Sequence, residues 1–253
     1  MTLTETSDTD EAFLNVTGHY PYAFSGGYRS ALNYIAPILP FLAGRERIVD
    51  IGCGEGWLLY VLRDLGITAE GVDQNAAAAD HLRRTGFNVA VSDAHHYLFS
   101  QDASRTREGL DAIVLSHIIE HFDADGQQTL LYRATQALKP HGGRLVVITP
   151  NMRNPVVAAE GFYLDPTHLR PMPLPLLIRY VEQEGLTVIG AGATWPWERS
   201  RLKRDMREQG LDAEPKSWRE IAFVLQHYAR LAAHYGPQLN LLRGDTWLVA
   251  ERR

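Results

Sequence analysis

One short stretch, residues 48–56, constrains the fold of this chain more than any other. It begins with the mostly apolar run Ile-Val-Asp-Ile over 48–51, which is typical of a buried strand. Glycine then occupies every second position from 52 to 56, and an apolar helical pattern begins at Trp57. A strand, a glycine turn and a helix in this order predict a nucleotide-binding βα unit, because glycine lets the backbone turn sharply and approach a ligand closely.

The spacing of the glycines indicates which nucleotide motif this is. A dinucleotide fingerprint, Gly-x-Gly-x-x-Gly, would need its third glycine at position 57, where the chain has Trp57. The chain has the motif Asp50-x-Gly-x-Gly-x-Gly56 instead. It resembles the first motif of the class I S-adenosylmethionine (SAM)-dependent methyltransferases. The resemblance implies a set of cofactor-binding residues here: Asp50, Gly52, Cys53 and Gly54.

Later parts of the chain match the same family in register. Asp73 ends a strand about 20 positions past the glycines, where a carboxylate can accept from both ribose hydroxyls, and Gln74 follows it. In the family pattern, an acidic residue after the third strand contacts the adenine amino group and the next amide contacts a ring nitrogen; Asp93 and Ala94 occupy those places. The sequence Leu-Lys-Pro-His-Gly-Gly before the strand at 144–150 is another feature of the family.

These features predict an α/β fold with a doubly wound, Rossmann-like, seven-stranded sheet, mostly parallel with one antiparallel edge strand. We expect residues 1–15 to be disordered and 16–253 to form a single methyltransferase domain. A helix over about 25–42 would form an N-terminal helical cap. About 50 residues separate the last two strands, which predicts a helical insertion over 194–244. The insertion is a candidate for a homodimer interface or for a lid.

Composition narrows the classes of partner and compartment. The formal net charge of −5 argues against nucleic acid as the main partner. The single cysteine cannot form an internal disulfide, and the polar, acidic N-terminus is unlike a signal peptide. No apolar run is long enough to span a bilayer. We therefore expect a cytoplasmic protein without a membrane span.

Two clusters of polar side chains could support methyl transfer, which needs an aligned acceptor, exclusion of water and removal of a proton. The first follows the fourth strand, at its carboxyl end, where ligands bind in open α/β sheets. Its members are Ser116, His117, Glu120 and His121. The second lies in a proline-rich stretch and contains Asp165, His168 and Arg170. We expect His121, His168 and Asp165 to be catalytic, and Ser116 and His117 to contact the cofactor.

The first cluster also resembles a metal-binding pattern. Glu-x-x-Glu-His after the fourth strand carries a divalent cation in the ubiquinone-pathway O-methyltransferases and, with a distant histidine, in the small-RNA 3′-end 2′-O-methyltransferases. Here Glu120 and His121 match, His117 replaces the first glutamate, and His168 corresponds to the distant histidine. The resemblance implies a divalent metal, Mg or Mn, on Glu120, His121 and His168, with His117 as a candidate fourth ligand. Mixed nitrogen and oxygen ligands suit Mn, Fe or Zn better than Mg. A histidine base without metal and a purely structural role are the alternatives.

The segment 162–171 resembles bacterial methyltransferases that modify sugars of cell-surface polysaccharides or glycolipids. In this interpretation Tyr163 and Trp195 stack on sugar rings and Arg170 binds hydroxyls. The expected function is SAM-dependent O-methylation of a saccharide hydroxyl. The alternatives are an RNA 2′-O-methyltransferase, a small-molecule O-methyltransferase and a non-catalytic SAM-binding protein.

Overall fold

The computed structural model describes residues 31–101 apart from position 33, residues 109–194 and residues 245–253. The described strands are β1 (Ile48–Ile51), β2 (Ala69–Asp73), β3 (Val89–Val91), β4 (Ala112–Ser116), β5 (Arg144–Pro150), β6 (Leu186–Thr194) and β7 (Asp245–Arg252). The described helices are α1 (Leu39–Leu42), α2 (Trp57–Asp64), α3 (Ala76–Arg84), α4 (Ala94–Ser100), α5 (Ala124–Ala137), α6 (Pro155–Ala159) and α7 (Leu174–Gln183). Two 3-10 turns cover Ile119–His121 and Gly161–Leu164.

The described strands form one seven-stranded sheet in the order β3-β2-β1-β4-β5-β7-β6. The first five strands are parallel, and β7 pairs antiparallel with β5 on one side and with β6 on the other. This confirms the predicted Rossmann-like sheet. The antiparallel strand is not at the edge, however, because β7 inserts between β5 and β6 and leaves β6 outermost.

The N-terminal helix differs from the expectation of one continuous element up to residue 42. Residues 31–35 are helical, apart from the position that is not described, but residues 36–38 form a turn before α1 begins at Leu39. Pro37 and Pro40 explain the break, because a proline inside a helix lacks the amide hydrogen and clashes with the preceding turn. The predicted disorder over 1–15, the start of the cap and the insertion after β6 lie outside the described residues.

Apolar side chains cover both faces of the sheet. On one face Tyr34, Ile35 and Ile38 pack with Ile48 and Val114 in a buried cluster. On the other face a larger buried cluster joins the sheet to α5 and α7. None of the described helices has the length and apolar character needed to cross a lipid bilayer. Because β1, β2, β4 and β5 all end at the same edge of the sheet, the polar residues that follow them lie close together.

Candidate active site

The glycine loop leaves β1 at the carboxyl edge of the sheet. Gly52 has φ of +70°, and a Cβ there would lie 2.0 Å from the Cδ1 atom of Ile118, in the turn after β4. Gly54 has φ of +50°, and a Cβ there would meet nothing within 4 Å. Only glycine adopts such φ values readily. The loop is therefore packed against the β4 turn at Gly52 and open at Gly54, where a ligand can approach the backbone.

Cys53 is buried within this loop and packs against β2. Its amide and that of Gly52 both donate to the carbonyl oxygen of Val72, at 3.0 Å and 2.6 Å. Its sulfur packs against Gly71, where an added Cβ would come within 2.8 Å of it. Burial raises the pKa of the thiol, so Cys53 stays protonated and holds the loop against β2.

Two buried carboxyl groups, Asp50 and Asp73, face the loop. Asp73 accepts hydrogen bonds from the amides of Gly54 and Asn75, both at 2.8 Å. Asp50 is 3% exposed. Burial, and secondly the negative charge of Asp73, raise the pKa of Asp50 to about 8. Asp50 is therefore mostly protonated at neutral pH when no ligand is bound, and a nearby positive charge would favour its ionised form. SAM carries two positive charges, on its sulfonium and ammonium groups.

The predicted adenine contact lies at the start of α4. Asp93 is the N-cap of this helix, and its side chain accepts from the amide of His96 at 2.9 Å. Asp93 is exposed and Ala94 half-buried, and Gln74, after β2, is also exposed. Capping leaves lone pairs on the Asp93 carboxylate for a ligand. Its adenine contact and the other predicted cofactor contacts stay predictions.

The chain turns sharply after β4, and this turn separates two groups of polar side chains. Ser116 ends the strand, and His117 adopts φ of +53°, the only positive φ of a non-glycine residue in the described part of the chain. The 3-10 turn Ile119–His121 follows immediately. As a result, Glu120 is directed into the protein, with 0% exposure, and His121 lies toward the segment that contains His168.

Glu120 is held on both carboxylate oxygens. Its Oε1 lies 3.1 Å from Nδ1 of His117, and its Oε2 accepts from the hydroxyl of Thr149 at 3.1 Å. Burial acts to raise the pKa of Glu120, but the hydrogen bond and charge of His117 outweigh it and the pKa lies below its ordinary value. Glu120 is therefore a buried carboxylate in a fixed orientation.

His117 makes its other contacts away from Glu120. Its Nε2 lies 2.7 Å from the hydroxyl of Tyr34 and 3.7 Å from Oδ2 of Asp245. Burial acts to lower the pKa of His117, but Asp245 and Glu120 raise it to about 9. Burial also raises the pKa of Tyr34, so its hydroxyl keeps its proton. His117 is thus an imidazolium at neutral pH, placed between two acidic groups.

His121 and His168 are each oriented by a hydrogen-bond acceptor that faces the Nδ1 atom of the ring. Nδ1 of His121 lies 2.9 Å from the hydroxyl of Thr167, which itself donates to Asp165 at 2.6 Å. Nδ1 of His168 lies 2.7 Å from the carbonyl oxygen of Phe162. Since both acceptors require a protonated Nδ1, the Nε2 atom of each neutral ring carries a lone pair.

Asp165 approaches the two histidines differently: through the Thr167 hydroxyl at Nδ1 of His121, and directly on the Nε2 side of His168. Burial acts to raise its pKa, but the hydroxyl and amide of Thr167 and the charges of His168 and His121 hold it below its ordinary value. Its second oxygen lies 3.8 Å from Nε2 of His168. Asp165 is an ionised carboxylate in this arrangement, and its predicted catalytic role would act through the histidines.

The structure brings together three of the predicted metal ligands. Glu120, His121 and His168 each place one ligand atom within 4.8 Å of the others. His117 is not part of this group, although its spacing along the chain suggested it, because the left-handed turn directs its ring to Tyr34 and Asp245. These two contacts, and that of Thr149, were not predicted. Residues 34 and 245 belong to no motif, and all three residues are distant in sequence from the cluster.

The predicted acceptor residues have different surroundings. Tyr163 is 67% exposed, next to Phe162, whose ring lies 4.7 Å from that of His168. Arg170 donates to the side chain of Gln127 at 2.8 Å, which ties its segment to α5. Trp195 lies outside the described residues. Tyr163 is therefore available to an acceptor, whereas Arg170 has a structural contact and its substrate role stays a prediction.

A Rossmann-like sheet with a glycine loop after β1 and acidic residues after β2 and β3 defines a protein of the nucleotide-cofactor-binding class. The chain matches the methyltransferase domain family over residues 24–213 and belongs to that family. It aligns over 90% of its length with a SAM-dependent methyltransferase from Archaeoglobus fulgidus, at 25% identity, a TM-score of 0.67 and 96% coverage of that chain. The predictions of a SAM-dependent methyltransferase and of SAM as cofactor are confirmed.

Two curated relatives are named as ubiquinone biosynthesis O-methyltransferases. The one from Alkalilimnicola ehrlichii is 30% identical over 125 residues, which are 49% of this chain and 49% of that protein. The mitochondrial one from Homo sapiens is 32% identical over 111 residues, 42% of this chain and 29% of that protein. The chain thus spans half or less of the length of these relatives.

Proposed function

We propose that this methyltransferase transfers the methyl group of SAM to a hydroxyl oxygen, assisted by a divalent cation on Glu120, His121 and His168. The observation that carries the proposal is the convergence of one carboxylate and two imidazoles within 4.8 Å. The relatives named as O-methyltransferases support the choice of oxygen as the acceptor atom.

The donor set fits a divalent cation. Glu120 is a buried carboxylate, and the hydrogen bonds at Nδ1 leave Nε2 of His121 and His168 with a lone pair. Metal-binding histidines usually donate their second N–H to a carbonyl or to a carboxylate-linked group, as both do here. Two nitrogens and one carboxylate favour Mn, Fe or Zn over Mg. A bound cation would lower the pKa of the acceptor hydroxyl and orient it.

Other residues of the protein would bind SAM and remove the proton of the acceptor. Gly54 and Asp73 would bind the ribose and amino-acid parts of SAM at the open side of the glycine loop, and Asp93 with the Ala94 amide would bind adenine. If no cation binds, the lone pair on Nε2 of His121 or His168 makes that ring a general base for the acceptor hydroxyl. The metal and the base versions differ in their response to a chelator.

For the acceptor, a saccharide hydroxyl is the class that the 162–171 segment suggests. The exposed ring of Tyr163 supports it, because an aromatic face can stack on a sugar ring; Tyr163 contacts Phe162, whose ring in turn lies against His168. A second candidate is a hydroxylated aromatic ring, which the same tyrosine could stack on; the names of the relatives favour this candidate. RNA is the third, and the net charge of −5 disfavours it.

The test is transfer of labelled methyl from SAM to oligosaccharides, hydroxylated aromatic compounds and short RNAs, each with and without a chelator. We expect label on one of the first two panels, lost with chelator and restored by Mn²⁺, and at least a 100-fold lower rate in His168→Ala. His141→Ala, an exposed loop histidine away from the cluster, is the matched control and should retain the wild-type rate. Transfer unaffected by the chelator and by His168→Ala would refute the cation site and the histidine role together.

A further inference from the structure

The turn at His117 is held in an uncommon conformation by contacts on all sides. A non-glycine residue with φ of +53° costs about 1–2 kcal/mol relative to ordinary backbone. The amide of His117 donates to the carbonyl oxygen of Ile148 at 2.9 Å, which continues the β4–β5 pairing one residue beyond the strand. Ile118 fills the space left by the missing side chain of Gly52. Strained backbone that is fixed in this way is often found where a side chain must point in one direction.

The direction of the His117 ring is fixed from the side opposite Glu120. Tyr34 is 8% exposed; its hydroxyl lies 2.7 Å from Nε2, and the two rings stack with centroids 6.1 Å apart. Asp245 is hydrogen-bonded to Tyr34 and lies 3.7 Å from the same Nε2. The N-terminal helix and the first residue of β7 therefore meet at a single ring nitrogen.

The opposite ring nitrogen acts on the proposed cation site. Nδ1 of His117 lies 3.1 Å from Oε1 of Glu120, and Thr149 donates to Oε2. The carbonyl oxygen of Glu120 accepts from the amide of Leu169 at 2.9 Å, next to His168. Side chain and backbone of Glu120 are thus fixed separately, and one of the two side-chain anchors depends on His117.

We propose that Tyr34 and Asp245 are positioning residues for the cation site: they hold His117, and His117 holds the carboxylate of Glu120 facing His121 and His168. This inference rests on the proposed function, because it concerns the affinity of that site for a cation. His117 then has a role different from that of the carboxylate it replaces in the family pattern. His117, held by Tyr34 and Asp245, orients the metal ligand Glu120 and does not bind the cation itself.

Loss of an outer contact of this type typically weakens metal affinity by about 10- to 100-fold. Tyr34→Phe is the more informative variant, because it keeps the ring and changes no formal charge, so that an effect on affinity arises from lost orientation. Asp245→Asn removes the second anchor and a carboxyl group. Tyr60→Phe is the matched control, since its hydroxyl contacts Thr85 on the exposed side of α2.

The experiment is titration of each metal-free protein with Co²⁺, followed by calorimetry and by the visible absorption of bound Co²⁺, with circular dichroism as the check on folding. We expect Tyr34→Phe and Asp245→Asn each to weaken Co²⁺ binding at least 10-fold and to change its absorption, and Tyr60→Phe to match the wild type. Wild-type affinity in Tyr34→Phe would overturn the positioning role while the cation site stands. No Co²⁺ binding by the wild type would overturn both proposals, and an equal loss in Tyr60→Phe would overturn the positioning role.

Discussion

Replacement of Asp50 with asparagine tests whether the cofactor site carries unfavourable charge before its ligand binds. Asp50 is 3% exposed, and burial together with the charge of Asp73 raises its pKa from 3.8 to about 8. The folded protein therefore keeps a proton that the unfolded chain releases. Since the folded pKa is the higher one, stability falls as pH rises from about 4 to 8, and below this range the penalty disappears.

The size of the effect follows from this window. Each pH unit between the ordinary pKa of 3.8 and the pH of the measurement corresponds to about 1.4 kcal/mol. At pH 7 the penalty is about 4 kcal/mol, and at pH 4.5 it is about 1 kcal/mol. Asparagine has nearly the same shape and does not ionise. We expect Asp50→Asn to unfold at higher urea than the wild type at pH 7, with a difference of up to about 4 kcal/mol that shrinks at pH 4.5.

The measurement is urea unfolding of both proteins without ligand at the two pH values. The free energies of unfolding are compared, which requires that the two proteins have the same m-value. Asp111→Asn is the control, because we expect it to change stability at pH 7 in the opposite direction. Burial acts to raise the pKa of Asp111, but Lys139 and the backbone amides of Arg47 and Glu46 hold it below its ordinary value. This variant should therefore lose stability at pH 7. A stability difference between Asp50→Asn and the wild type that is the same at both pH values would refute the reasoning.

Three further variants test the site. Gly52→Ala should lower the free energy of unfolding by about 2–4 kcal/mol, because its Cβ would meet Ile118 at 2.0 Å in a left-handed backbone; an unchanged urea midpoint would contradict this. Asp73→Ala should weaken binding of S-adenosylhomocysteine at least 10-fold by calorimetry, and wild-type affinity would exclude the ribose assignment. Thr167→Val removes the nearer acceptor of the Nδ1 proton of His121, leaving the Thr167 carbonyl oxygen at 3.3 Å, and should weaken Mn²⁺ binding about 10-fold; equal affinity would show that the hydroxyl does not orient the ring.

Local patterns were sufficient for the fold and for the class of enzyme. Apolar runs of strand length, the glycines from 52 to 56 and the acidic residues at 73 and 93 each depend on neighbours within a few positions. The antiparallel strand was placed incorrectly at the sheet edge, because the pattern of β7 shows that it is buried but not which two strands it joins. The break at residues 36–38 was missed, although Pro37 and Pro40 were visible.

The sequence by itself determined that this chain builds a Rossmann-like SAM-dependent methyltransferase, and it named the three residues that converge as a candidate cation site. Only the tertiary structure decided which histidines belong to that site. His117, His121 and Glu120 lie within five positions, but the left-handed turn at His117 sends its ring to Tyr34 and Asp245. No local pattern encodes that direction, because it depends on packing among the N-terminal helix, β4 and β7, which are distant in the chain.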